Sequence, residues 1–279
     1  MWKRIFIAAH VLRLRRRAPG DASTRWNAFW AGVRTTGDGG DVLWDASSPA
    51  EAARYLDLLA EHTDLTLPVV DIGCGNGRFT RALATRSARV LGVDLSPAAV
   101  ARAEAESAGT TGVAFRVLDM TEPHAGPLLR ETLGGDANVF VRGVLHVLDE
   151  PARRRLAENI SPLLGARGRA LISETNHRGH PLGYLERLGA GARGLPAALA
   201  RAVATGIPAP SAFGEAELDA AFPLAEWRRI LVDADAAITT IPLSAPDRHD
   251  MLPALVAILA VRRPMPRGPA ATPSPWAPT

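Results

Sequence analysis

The sequence predicts an alternating α/β fold in which a mainly parallel sheet lies between helices. Two observations carry that expectation. The stretch Val69 to Phe79 is an apolar run rich in β-branched residues that passes through Asp71, then Gly73, Gly75 and Gly77, and leads into the helical pattern of residues 79–84. It reads as strand, tight turn, helix. The second observation is recurrence. Arg89 to Asp94 and Val113 to Leu118 are further apolar runs, closing on Asp94 and followed by Asp119 and Met120. They are separated by the distance a helix and its return loop require in a βαβ unit. The 279 residues, 47% of them hydrophobic, suffice for one domain with insertions and a sizeable core.

The first of these turns carries chemistry. Glycine lets the backbone take positive φ and approach a ligand closely. The helix that follows offers unpaired N–H groups to an electronegative group. An acid at the tip of the second strand suits two ribose hydroxyls. After the third strand, Asp119 can accept from an exocyclic amine and Met120 can cover an adenine face.

These residues make the chain resemble the class I S-adenosylmethionine-dependent methyltransferases. Asp71-Ile72-Gly73-Cys74-Gly75-Asn76-Gly77 looks like the family's first motif, Val93-Asp94 its second and Leu118-Asp119-Met120 its third. A nicotinamide dehydrogenase would show G-x-G-x-x-G/A rather than G-x-G-x-G, and no adenine-reading acid after strand three. The resemblance covers roughly residues 50–264. It implies a Rossmann-like, seven-stranded, mostly parallel sheet with an antiparallel last strand, and S-adenosylmethionine as cofactor. It implies cofactor contacts from Asp71, Gly73, Cys74, Gly75, Asn76, Gly77, Asp94, Leu95, Asp119 and Met120. Arg142, at the end of strand four, is counted with them, its other readings being attraction of a substrate carboxylate or a surface ion pair.

Composition removes other classes. Lys3 is the only lysine among 32 basic residues, which excludes pyridoxal-phosphate Schiff-base enzymes, P-loop kinases and lysine-based aldolases. The single cysteine, Cys74, excludes intrachain disulfides and thiolate zinc sites, and reads as a small buried filler. The net charge of +3 is carried by the ends. Residues 1–17 hold six basic groups and no acid, and the tail from Arg262 holds three arginines and no acid; without these nine the body has 23 basic against 29 acidic groups. A nucleic-acid partner is therefore not expected.

Four regions follow from pattern. Residues 1–22 read as a basic amphipathic or disordered tail, 23–60 as an N-terminal arm, 61–264 as the methyltransferase domain and 265–279 as a disordered proline-rich tail. The first segment lacks the features of a signal peptide, and no run approaches the ~18 apolar residues of a membrane span. No stable membrane insertion and a cytoplasmic location are expected, with surface anchoring by the first segment as the minor reading. In the arm, Trp26, Phe29, Trp30 and Val33 recur at helical spacing before the glycine-rich break at Gly37 to Gly40 and the run ending Trp44-Asp45. Such a stripe is either a packing face or a lid, and Trp26, Trp30 and Trp44 are the candidate substrate contacts.

Strand four is expected at Asp136 to Arg142 and strand five at Gly168 to Glu174. His146, just past the carboxyl end of strand four, is the candidate general base, with a purely packing role as its bland reading. After strand five, residues 177–212 form an insertion with two short helical runs between prolines, a candidate acceptor cap. His177 opens it and is a candidate substrate contact. His177 and His180 lack a third ligand, so no metal is expected. Strand six is read as Trp227 to Val232 and the last strand as Leu255 to Val261.

The expected reaction is methyl transfer to an oxygen or nitrogen of a small secondary-metabolite-like acceptor by in-line displacement. A peptide or protein acceptor (a C-terminal carboxylate included), a small thiol, or a non-catalytic cofactor-binding scaffold are the alternatives. The oligomeric state is not readable.

Overall fold

The computed structural model describes residues 2–16, 18, 20–46, 48–245 and 248–262. The expected tail at 265–279 lies outside the described residues. Strands β1 (Val69–Ile72), β2 (Val90–Asp94), β3 (Val113–Val117), β4 (Asn138–Arg142) and β5 (Ala170–Thr175) are mutually parallel. They join β6 (Trp227–Ala245) and β7 (Arg248–Val261) in one sheet of order β3-β2-β1-β4-β5-β7-β6. Strand β7 runs antiparallel to both neighbours. The order reverses between β1 and β4, and that reversal opens the crevice where open α/β sheets bind ligands.

Helices cover both faces because the inner strands alternate. Val70, Ile72, Val139, Val141 and Ile172 point to one side, where α6 (Ala125–Leu133), α7 (Glu150–Leu164) and α10 (Glu215–Ala221) pack. Val69, Phe140 and Leu171 point to the other, against Tyr55 and Leu59 of α3 (Pro49–His62) and Leu83 of α4 (Arg78–Leu83). Ser48 caps α3 by accepting from the Glu51 N–H, and Ser96 caps α5 (Pro97–Glu106) through Ala99.

A third core lies above the carboxyl edge of the sheet. It joins Phe29 and Trp30 of α2 (Ala22–Ala31), Leu43, Tyr184 and Leu185 of α8 (Pro181–Arg187), Leu199 of α9 (Ala197–Ala204) and Ile7 of α1 (Trp2–Arg15). The N-terminal segment is thus a helix packed on α8 and α9, rather than the disordered alternative for that tail. Arm and insertion share this core, and Arg201 of α9 reinforces it by donating to Asp41 at 2.9 Å and to the Gly32 carbonyl.

The last two strands are much longer than their apolar runs predict. Breaks in register at Arg229/Leu231, Asp233/Ala236 and Thr240/Ala245 interrupt the alternation, and Pro242 and Pro253 read as strand breakers. The ribbon nevertheless continues past the sheet to the arm. There Ile241 donates to the Leu43 carbonyl at 3.0 Å and Thr239 N donates to Glu51 at 3.1 Å. Among the described residues no helix is long and apolar enough to cross a membrane.

Candidate functional site

The turn after β1 owes its shape to three glycines: Gly73, Gly75 and Gly77 have φ of 74°, 54° and 74°. A Cβ on Gly73 would lie 2.3 Å from Val144 Cγ2, and one on Gly75 would lie 2.7 Å from the Trp30 ring. The turn therefore fits beneath the arm only as glycine. Asp94, at the tip of β2, fastens it by accepting from Gly75 N at 3.0 Å and from Ser96 N at 2.9 Å. Burial raises the Asp94 carboxyl to about 6. Below the turn Asp71 accepts the Thr80 hydroxyl at 2.6 Å, and burial lifts its carboxyl to about 7.

A cavity of about 960 Å³, mouth included, opens over this turn. Gly73, Cys74, Gly75, Asn76, Asp94, Leu95, Asp119, Met120, Arg142, Trp26, Trp30 and Trp44 all contribute to its walls. Asp71 and Gly77 do not line it; they brace the turn from below and from the start of α4. Cys74 is buried, and burial holds its thiol well above the ordinary range. Asn76 faces its own protein, donating to Asp45 at 2.9 Å and to Glu106 at 3.1 Å, and so ties arm, loop and α5 together. Asp119 uses Oδ1 to accept from Thr121 N and Oγ1 at 2.8 and 2.7 Å.

These features fit S-adenosylmethionine. Glycine at positions 73 and 75 leaves the backbone of the turn open to a ligand, with Cys74 the one side chain between them. Both Asp94 oxygens are oriented by the N–H groups they accept from and keep lone pairs for two hydroxyls. Asp119 Oδ2, which makes no hydrogen bond among the described residues, suits an amino group, and Leu118 and Met120 supply apolar cover for a ring.

Arg142 is neither at the surface nor free for a carboxylate. Its Nε donates to Glu51 at 2.6 Å, Nη1 to the Trp44 carbonyl at 3.2 Å, and its guanidinium lies 4.7 Å from the Phe79 ring centre. The ion pair among its alternative readings is present but buried rather than at the surface, with side chains 5% and 4% exposed. Burial opposes the charge, but Glu51 overrides it and the guanidinium pKa is raised.

A second, mostly apolar cavity of about 1070 Å³, mouth included, adjoins the first and shares Trp26, Trp44, Arg142, Gly143 and Val147 with it. Its far walls come from α1, α8, α9 and the β6–β7 ribbon, including Tyr184, Leu199 and Leu252. His146, in a single 3-10 turn (Leu145–Val147), stands in its wall. Glu174 at the end of β5 is fully buried, and its Oε2 lies 2.6 Å from His146 Nδ1. The same carboxylate accepts from the backbone N–H of Val144, Leu145 and His146 at 3.0, 2.9 and 3.1 Å. Ser211 Oγ donates to the His146 carbonyl at 2.6 Å and Arg153 to that hydroxyl at 2.6 Å.

His177 lines neither cavity. It borders a shallow hollow with Arg4 and Arg178, and its ring packs 5.2 Å from Tyr184. Glu174, Tyr184 and Glu51 were missed as site residues from sequence; for Glu174 the available signal was its place at the carboxyl end of a sheet strand.

Comparison with known proteins agrees with this fold. A family model described as a methyltransferase domain matches residues 69–168. An S-adenosylmethionine-dependent methyltransferase from Anabaena variabilis superposes with a TM-score of 0.74 at 24% identity, over 88% of this chain and 97% of that one. A structure described as converting a disulfide bond into a thioacetal group during echinomycin biosynthesis gives 0.59 at 21% identity, over 87% of this chain and 91% of that one. An S-adenosylmethionine-dependent methyltransferase from Methanosarcina mazei gives 0.51 at 17%, over 72% and 95%. At these identities the likenesses establish a shared fold. The family model adds that residues 69–168 are similar to a methyltransferase domain, over the stretch that carries the glycine turn and the strand-tip acids.

Proposed function

We propose that this chain methylates an oxygen or nitrogen of a small, largely apolar acceptor held in the second cavity. The observation that carries the reading is the His146–Glu174 pair in the wall of that cavity, next to the Gly143 and Val147 boundary with the cofactor cavity. S-adenosylmethionine, when bound, supplies an electrophilic methyl group. The chain's own part is to bind, align and exclude water. Holding reactants as a near-attack pair supplies roughly 7–11 kcal/mol of such a barrier. The carboxylate of Glu174 fixes the His146 ring through Nδ1, which leaves Nε2 as the nitrogen able to take a proton from an acceptor hydroxyl or amine. Enclosure by α1, α8, α9 and the ribbon favours a small molecule over a side chain of a folded protein.

The test is a panel of apolar phenols and amines, short peptides and small thiols, followed by formation of S-adenosylhomocysteine. Turnover confined to the first group, with His146→Ala still binding S-adenosylhomocysteine but losing turnover, is expected. Turnover only with peptides or thiols would overturn the reading.

A further inference from the structure

Helix α1 is apolar on two opposite faces. Ile7 is buried and Val11 half-buried against the third core, and Leu14 is half-buried as well. On the other side Trp2, Ile5, Phe6 and Leu12 are 73%, 53%, 49% and 67% exposed. Their spacing, with exposed Ala9 between them, places them along one stripe of the helix. Arg13 lies on that stripe too and Arg16 follows directly on the helix end, both exposed. The inner face of the helix is covered by α8 and α9, whereas Trp2, Ile5, Phe6 and Leu12 on the outer face stay largely exposed among the described residues.

We propose that α1 is an interfacial helix that docks the protein reversibly on an anionic lipid surface. Charge selects this occupant. Residues 1–17 carry six basic groups and no acid, whereas the rest of the folded body is net negative. Of the six, Arg4 is engaged within the protein by Glu186 at 3.1 Å. Arginines beside an outward Trp-Ile-Phe-Leu stripe meet headgroup phosphates while the apolar side chains enter the acyl boundary. Trp2 at the helix start has the ring type that favours that boundary. A second copy of the chain is a poorer occupant. It would set one basic helix against another, and four side chains fall well short of the ~800 Å² per partner of a standard interface. The inner face of the same helix supplies Val11 and Arg15 to the acceptor cavity. A docked chain therefore holds that cavity within about 10–12 Å, one helix diameter, of the lipid.

The experiment uses the full chain, with vesicles of phosphatidylcholine alone or mixed with phosphatidylglycerol, read by co-sedimentation at low and high salt. Wild type should bind the anionic vesicles about tenfold more tightly than the neutral ones and be released by salt. Ile5→Glu/Phe6→Glu and Arg13→Glu/Arg16→Glu should each lose about tenfold in that binding. S-adenosylhomocysteine affinity should stay unchanged in both, which shows that they fold and separates this test from the identity of the acceptor. Equal binding of wild type and variants, or no preference for anionic vesicles, overturns the proposal. So does a concentration-dependent dimer without vesicle binding that Phe6→Glu dissociates, which would assign the stripe to a second copy.

Discussion

Glu174 Oε2 and His146 Nδ1 lie 2.6 Å apart, and the carboxylate that orients the ring also holds the backbone N–H groups of the turn carrying it. One buried side chain thus fixes both the position and the tautomer of the candidate base. His146→Ala is expected to reduce kcat by ~10²–10⁴ while leaving S-adenosylhomocysteine affinity near wild type. Glu174→Ala should do this and also destabilise the fold. It strands three N–H donors, and a single buried group left unpaired costs about 1–3 kcal/mol. Single-turnover rates, calorimetry and melting on both variants separate the cases. A Glu174→Ala protein as stable as wild type would refute the account of the turn.

The packing of Gly73 on Val144 makes a sharper test of the cofactor turn. Gly73→Ala places a methyl 2.3 Å from Val144 Cγ2 at φ +74°. The left-handed backbone costs ~1–2 kcal/mol and the overlap a further ~1–3 kcal/mol. Adding Val144→Ala removes Cγ2, so the double variant should recover the overlap and retain the backbone cost. Denaturant melts of the four proteins measure the coupling, and strict additivity would show that the contact carries no energy.

The glycine turn and the tip acids were legible in sequence because their chemistry is local: a positive φ, or a carboxylate at a strand end, shows in a few consecutive residues. Pairs such as Arg142 with Glu51, or His146 with Glu174, join distant segments and leave no spacing to read. The insertion at 177–212 reads from sequence as a candidate acceptor cap, and it forms one core with the arm and α1. The ribbon hid behind its prolines and breaks in register. His177 was placed by order along the chain. Asn176, donating to the Pro253 carbonyl at 2.8 Å, instead carries the chain alongside β7, and the ring ends beside Tyr184 outside both cavities.

Two raised carboxyls give opposite pH trends for the fold and for the ligand. Burial lifts Asp71 to about 7 and Asp94 to about 6, against 3.8 for an unperturbed aspartate. The ligand-free folded state therefore binds more protons than the unfolded chain between about pH 4 and 7. Their stabilising contribution is complete below the unfolded pKa and is lost as pH rises through 6 to 7. Ribose hydroxyls need the ionised Asp94 as acceptor, so S-adenosylhomocysteine affinity should rise about tenfold from pH 5 to 7. Calorimetry across that range, with Asp94→Asn as the reference, checks both signs. An affinity in wild type that is flat across it would contradict the role of Asp94.

The ion pair of Arg142 with Glu51 joins the end of β4 to the start of α3, and both partners extend their reach. Arg142 also donates to the Trp44 carbonyl, and Glu51 accepts from Thr239 N and from the Tyr55 hydroxyl at 2.9 Å. Arm, sheet and ribbon therefore meet at one pair of charges beneath the boundary of the two cavities. Removing one partner leaves the other charge buried and uncompensated, a change that costs about 3–5 kcal/mol. Arg142→Met alone should lower Tm by roughly 10 °C for a chain of this length. Glu51→Leu alone should do the same. Together the two substitutions exchange the pair for apolar volume, and the double variant should regain much of the loss in stability. S-adenosylhomocysteine affinity should not return with it, because the Trp44 carbonyl and the ribbon lose their tether. Melting curves and calorimetry on the four proteins decide the matter; a double variant less stable than either single one would show that the network is held by its hydrogen bonds rather than by the pairing of charge.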